Sequence, residues 1–148
     1  MMSQQERAEI IALIKREVIP AIGCTEPIAV ALCTARAAEA LGCRPERLEV
    51  LLSANILKNA MGVGIPGTGM IGLPIAVALG ALIGRSEYQL EVLRDVTPEA
   101  VAEGRRFIDE KRISIALKEG IEEKLYIEVH ALGAVSYTHL TLPTKRIV

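Results

Sequence analysis

The chain has 148 residues, 51% hydrophobic and only 3% aromatic, with no Trp and a net charge of −1. That length suffices for one domain with one real core, and the composition builds that core from Ala, Val, Ile and Leu. With a pI of about 6.2, no basic stripe and almost no rings for base stacking, nucleic-acid binding is excluded as a working function.

Ser3-Gln4-Gln5-Glu6 has the form of a capping box. Behind it Ile10, Ile11, Leu13, Ile14 and Val18 recur at helical spacing. The spacing predicts a helix over 4–18, stopped by Pro20. This start lacks the basic residues, apolar run and small-residue cleavage site of a signal peptide, so a cytoplasmic protein is the expectation. Residues 21–24 then form a short loop. Thr25 is the N-cap candidate, and Pro27 fits a first helical turn, where its missing N–H costs nothing. An Ala-rich helix over 26–41 follows, and Gly42 ends it.

A strand is predicted over 48–53. Asn55, Lys58 and Asn59 come next, with Ile56 and Leu57 between them, and then a glycine-rich stretch, GVGIPGTG, over 62–69. A buried helix over 73–83 follows. Residues 60–84 carry no charge and are long enough to cross a bilayer. Five glycines with Pro66 and Pro74 break the first half, however, so no membrane span is expected. Residues 88–92 read equally as helix or strand. Thr97-Pro98-Glu99 is a strong helix start, and that helix should run to 111. ISIAL at 113–117 and LYIEV at 125–129 alternate like two strands, which Glu119-Gly120 could turn into a hairpin. No internal repeat is evident. The order of elements predicts an α+β fold, with Ala-rich helices packed on a small, mainly antiparallel sheet.

The last residues stand apart. VSYTHLTLP, from Val135, has no helical period and switches composition abruptly. It resembles a transposase-adapter sequence translated in frame. Residues 134–148 therefore read as a non-native tail and 1–133 as natural sequence. His139 is then no catalytic candidate, and His130 is the one natural histidine.

The three cysteines, Cys24, Cys33 and Cys43, match no zinc or CxxC spacing. Their odd number in a cytosolic chain points to free thiols. Cys33 lies inside the Ala-rich helix and reads as a core thiol. Cys43 has no reactive feature beyond exposure. Cys24 differs: it sits in a loop directly before a predicted helix N-terminus, where free N–H groups and the dipole stabilise a thiolate, and Gly23 leaves room for an approaching group. A buried structural thiol and a reactive one both stay open from local physics. Glu26 in the first turn is explained by the helix dipole alone, but it would oppose thiolate formation if its side chain pointed at Cys24.

Gly62-Val63-Gly64-Ile65-Pro66-Gly67 matches GxGxxG. A dinucleotide site needs those glycines directly after a strand and opening a helix. Here a polar segment intervenes, and Pro66 blocks early helix formation. What remains is a tight loop at Gly67, Thr68 and Gly69 whose backbone N–H groups could cradle an anion such as a carboxylate, or which simply permits close helix packing. Asn55 and Asn59 either cap local backbone or point into a polar site, because Asn is costly to bury unpaired. Lys58 shares their spacing and reads as solvent-exposed.

PAIGCTEPIAVAL, NILKNAMGVGIPGTGMIGLPIAVALGAL and LEVLRDVTPEA together resemble the N-terminal part of the L-cysteine desulfidase family, also described as serine dehydratase alpha-like proteins. The likeness covers most of residues 1–132. Members of that family are longer, so residues 1–133 read as the N-terminal part of a serine dehydratase alpha-like catalytic domain. The resemblance implies a PLP-independent lyase with a 4Fe–4S cluster that binds substrate and acts as Lewis acid toward the leaving group. Cys24 aligns with the cysteine proposed as base for the α-proton. Sulfide elimination from L-cysteine then gives pyruvate and ammonia.

The family's three cluster-ligating cysteines lie in its C-terminal part, so no metal ligand is expected here; Cys33 and Cys43 do not match them. Chemistry, and not the resemblance, suggests Thr25 and the glycine-rich loop as holders of the substrate carboxylate. The expected partner is a small amino-acid substrate, with a homo-oligomer left open. The chain reads as a truncated fragment, inactive alone. L-serine dehydration, a non-catalytic small-anion-binding module, and a purely structural domain are the alternatives.

Overall fold

Ser3 caps α1 (Gln4–Glu17) with the reciprocal bonds its sequence predicts: Ser3 Oγ accepts from Glu6 N at 3.1 Å, and Glu6 Oε2 accepts from Ser3 N at 2.7 Å. The computed structural model describes residues 1–18, 23–134 and 137–143. The expected stop at Pro20, the loop residues Ala21 and Ile22, and tail residues 135–136 and 144–148 lie outside the described residues. No residue of α1 is buried, so its apolar stripe of Ile10, Ile11, Leu13 and Ile14 faces solvent.

The next helix, α2 (Thr25–Leu41), is capped by Cys24 and not by Thr25. Cys24 is extended, and its carbonyl accepts from Ile28 N at 3.4 Å, which makes Thr25 the first helical residue. Pro27 tolerates either register, because no N–H in the first turn has a helical acceptor. Gly42 closes the helix in the left-handed conformation, with φ 77°, its N–H reaching the carbonyls of Ala38 and Glu39.

After β1 (Arg47–Leu52) the segment left without an element by its sequence is a short helix, α3 (Ala54–Ala60). It buries Ile56 and Ala60 and exposes Asn55, Lys58 and Asn59 on its outer face. The glycine-rich stretch folds as a small hairpin, β2 (Gly64–Ile65) against β3 (Met70–Ile71). It leads into α4 (Leu73–Leu82), which is buried along nearly its whole length. A 3-10 helix (Ser86–Glu91) with an interruption at Gln89 resolves the ambiguous segment at 88–92, so it holds no strand. Thr97 then caps α5 (Pro98–Asp109) by accepting from Ala100 N at 3.1 Å.

The remaining strands are β4 (Ile113–Leu117), β5 (Tyr126–Leu132) and β6 (Tyr137–Pro143), and the sheet order is β4-β1-β5-β6. The expected hairpin between β4 and β5 does not form. β1 lies between them, parallel to β4 and antiparallel to β5. The reason is burial. Leu48, Val50 and Leu52 are at most 1% exposed, so β1 is the strand that gains most from a partner on each side. Within the tail, β6 pairs antiparallel with β5 as an edge strand.

The fold is α+β, and its small sheet is mixed, with two antiparallel pairings out of three. Helices α2 and α4 cover one sheet face, and two apolar clusters lie on either side of that helical layer. The first joins Val30, Cys33 and Val77 to Leu48, Val50 and Val129 of the sheet. The second joins Ile28, Ala31, Ile75 and Leu79 to Ile65, Val92 and Ala100. Among the described residues, no helix is long and apolar enough to cross a membrane.

Candidate functional site

Gly23 turns the chain into α2 with φ 91°, a conformation that favours glycine. A Cβ there would stand 2.9 Å from Cγ and Cδ of Pro66. The segment ahead of α2 and the turn of the β2–β3 hairpin are therefore in direct contact, with Cys24 and Gly67 each one residue from it. The thiol of Cys24 is exposed at the helix N-terminus.

Its nearest partner is Glu26. Cys24 Sγ donates to Glu26 Oε2 at 3.1 Å, and Thr25 Oγ1 donates to the same oxygen at 3.4 Å. The carboxylate therefore points at the thiol. Its hydrogen bond is the largest cause raising the Cys24 pKa, aided by slight desolvation and by its charge, and the first-turn N–H groups of Glu26 and Thr25 do not outweigh it. The same bond from Cys24 holds the Glu26 carboxyl below its ordinary range. The helix end thus favours thiolate while Glu26 keeps the resting residue a thiol. Glu26→Gln should move the pH profile of Cys24 alkylation by iodoacetamide to lower pH, measured in a Cys43→Ser background because Cys43 is also exposed. An unmoved profile would show that Glu26 does not govern the thiol.

The other expected binding residues divide into two groups. Thr68 builds the hairpin turn: its hydroxyl donates to Ile65 O at 2.6 Å and accepts from Met70 N at 2.9 Å, in a buried setting. Gly67 and Gly69 are exposed and left-handed, with φ 79° and 66°. Beside this turn a cavity of about 340 Å³ is lined by Gly67 and Thr68 on one side and by Pro98, Val101, Ala102 and Arg105 of α5 on the other. Asn55, Lys58 and Asn59 share the exposed face of α3 and make no hydrogen bond to Cys24 or to the turn. The glycines at 62–67 lead into a hairpin and open no helix, so the dinucleotide pattern has no structural counterpart.

Cys33 is buried, and desolvation pushes its thiol up to about 12. It lies in the apolar core cluster with Val30, Leu48 and Val129. Among the described residues, no three His, Cys, Asp or Glu side chains come together to hold a metal ion. The residues described here do not fit an iron–sulfur cluster.

A second polar cluster went unread in the sequence. Tyr126, Glu128 and His130 project from the sheet face opposite the helices, as their period-two spacing dictates. Glu128 is only 5% exposed. It accepts from Tyr126 OH at 2.7 Å, meets Lys118 Nζ at 3.0 Å, and lies 2.6 Å from His130 Nε2. His130 Nδ1 is paired with the Tyr137 hydroxyl of the tail strand. Burial raises the Glu128 pKa, but the bonds from Tyr126, His130 and Lys118 outweigh it and hold the group down to about 2. These groups satisfy one another, which is the requirement for burying a charge on a sheet.

No family model matches the chain, and no solved structure matches it. The chain is similar to UPF0597 proteins. It is 79% identical over 128 residues to one from Bacteroides fragilis, covering 86% of this chain and 30% of that protein. To one from Bacteroides thetaiotaomicron it is 80% identical over 128 residues, with the same coverage. To one from Photobacterium profundum it is 45% identical over 132 residues, covering 89% of this chain and 31% of the relative. The chain thus spans less than a third of the length of these relatives, and their name states no activity.

Proposed function

We propose that the chain is the N-terminal part of a cytoplasmic, PLP-independent lyase that eliminates sulfide from L-cysteine to give pyruvate and ammonia. The observation that carries the reading is the exposed Cys24 thiol at the start of α2, bonded to Glu26 and one residue from the contact with the hairpin turn. The resemblance of GCTEP and of the glycine-rich stretch to the desulfidase family supplies the reaction. The 4Fe–4S cluster of that family would be held by the part of the relatives' length that this chain does not span, and no step here runs through it.

The chain's own residues account for the proton. Resting Cys24 is a thiol, as an ordinary cysteine is at neutral pH, and Glu26 pushes its pKa higher still. A substrate ammonium placed beside Glu26 offsets the carboxylate charge, so binding itself shifts Cys24 toward thiolate. The thiolate then removes the α-proton. The C–H electron pair becomes the Cα=Cβ bond as the C–S bond breaks and hydrosulfide leaves. The aminoacrylate tautomerises to an imine, which water hydrolyses to pyruvate and ammonia.

L-serine dehydration uses the same proton removal with a different leaving group. The cavity at Gly67 and Arg105 favours a second reading, a small-anion-binding module without chemistry. The protein translated from an intact reading frame and purified without oxygen distinguishes them. Equal yields of sulfide and pyruvate from L-cysteine are expected. Pyruvate from L-serine alone would assign the dehydratase, and no product from either amino acid would overturn the lyase reading and leave the binding module and the purely structural domain.

A further inference from the structure

We propose that Arg105 is the carboxylate anchor of a small-acid site in the cavity between the hairpin turn and α5. The inference rests on the lyase reading for the identity of the acid, the α-carboxylate of L-cysteine or L-serine. The site itself rests on the cavity and on the electrostatics of its one charged lining residue.

The cavity, about 340 Å³, lies at the small end of the roughly 300–1,000 Å³ range of small-molecule sites. Its walls are a backbone turn and the face of a helix. Pro98, Val101 and Ala102 are apolar or small, and Thr68 has its hydroxyl committed to Ile65 and Met70. That leaves Arg105 as the charged group of the lining.

Arg105 is oriented but not neutralised. Its Nε donates to the thioether sulfur of Met70 at 3.2 Å, a weak acceptor that carries no charge. Met70 belongs to the same hairpin as Gly67 and Thr68, so this bond ties the guanidinium to the turn. The three acids of α5 do not take its charge. Glu103 is bonded to Arg44 at 2.5 Å, and Glu99 and Asp109 make no ion pair with Arg105 among the described residues. The terminal nitrogens of Arg105 therefore have no protein acceptor among the described residues. A guanidinium fork with both ends available matches a carboxylate in bidentate geometry better than any other side chain could.

Gly67 completes the recognition. It is exposed, its φ of 79° suits glycine, and it has no side chain to keep an anion from the backbone of the turn. Pro66, the preceding residue, is the one in contact with Gly23. One contact therefore links the segment before Cys24 to the residue before Gly67, while Cys24 itself does not line the cavity. A ligand lacking the carboxylate loses the anchor.

The test begins with binding to this 148-residue chain. L-serine is titrated into ¹⁵N-labelled protein and compared with serinol, which lacks the carboxylate. Shifts at the Gly67, Thr68 and Ala102 amides and at Arg105 Nε are expected with L-serine and not with serinol. Arg105→Gln should weaken the L-serine response at least tenfold, and Arg105→Lys should restore part of it. Equal responses to serinol, or an unchanged response in Arg105→Gln, would overturn the anchor.

Kinetics of the intact-frame protein separate the two failures. A KM for L-cysteine raised at least tenfold in Arg105→Gln, with kcat changed less, is the expected result. Sulfide release with unchanged KM in that variant would sink the anchor and leave the lyase standing. Arg105-dependent L-serine binding without any turnover would sink the lyase and leave the anion site standing.

Discussion

Gly80→Ala should destabilise the chain by about 1–2 kcal/mol, although alanine is the better helix former. Helix propensity alone predicts a gain of roughly 0.8–1.0 kcal/mol. Packing reverses the sign. A Cβ on Gly80 would stand 2.5 Å from Ala31 O, 3.0 Å from its Cα and 3.1 Å from its carbonyl carbon. All three are backbone atoms of α2, so no side chain can swing aside. Nor can α2 retreat, since Ala29, Val30, Cys33 and Ala37 hold it in the cluster that includes the sheet. Forced overpacking typically costs about 1–3 kcal/mol and at times more.

Two neighbouring positions calibrate the result. At Gly104 the closest atom is the flexible end of Ile75, at 2.9 Å, so Gly104→Ala should cost less. Gly62 has open space around it, so Gly62→Ala should be nearly neutral. Urea unfolding midpoints read all three variants. A Gly80→Ala protein as stable as the parent would refute the close α2–α4 approach that places Cys24 at its present position.

Cys24→Ser separates chemistry from structure, because the two effects have opposite signs. A general base contributes about 10²- to 10⁴-fold, and a serine hydroxyl is far too weak an acid to take that role at neutral pH. Turnover of the intact-frame protein should fall by that factor with KM little changed. Stability should not fall. Cys24 occupies the N-cap of α2 and makes no side-chain capping bond, whereas serine is among the preferred caps, worth about 0.5–2 kcal/mol over a residue that cannot cap. The variant is therefore expected to be less active and at least as stable. Loss of activity together with a lowered unfolding midpoint would instead make Cys24 a structural residue, and the proposed proton removal would need another base.

The elements legible in the sequence were those with local causes. The capping box at Ser3, the Thr97-Pro98 start and the glycine stop at Gly42 each satisfy groups within a few residues of themselves, and each is found in place. The short helix α3 was missed because seven residues with two buried positions carry too little period. The shift of the cap from Thr25 to Cys24 lies within the first turn, where residue types alone do not resolve the register. Tyr126, Glu128 and His130 did carry a signal, in their period-two spacing, but nothing local says that the face they share holds a buried carboxylate.

Arg105 is the clearest case of the opposite kind. On α5 it reads as one more charge of a solvated helix face, and only the hairpin packed beside it makes a cavity there. The contact of Gly23 with Pro66 and the insertion of β1 between β4 and β5 are of the same sort.

Local spacing and capping chemistry alone determined that this is an α+β chain of Ala-rich helices with an unusual cysteine ahead of one of them, because those properties depend on neighbours in the chain. Which strands pair and which cation faces the glycine turn were decided only by tertiary packing, because each depends on residues distant in sequence competing for the same partner or the same space.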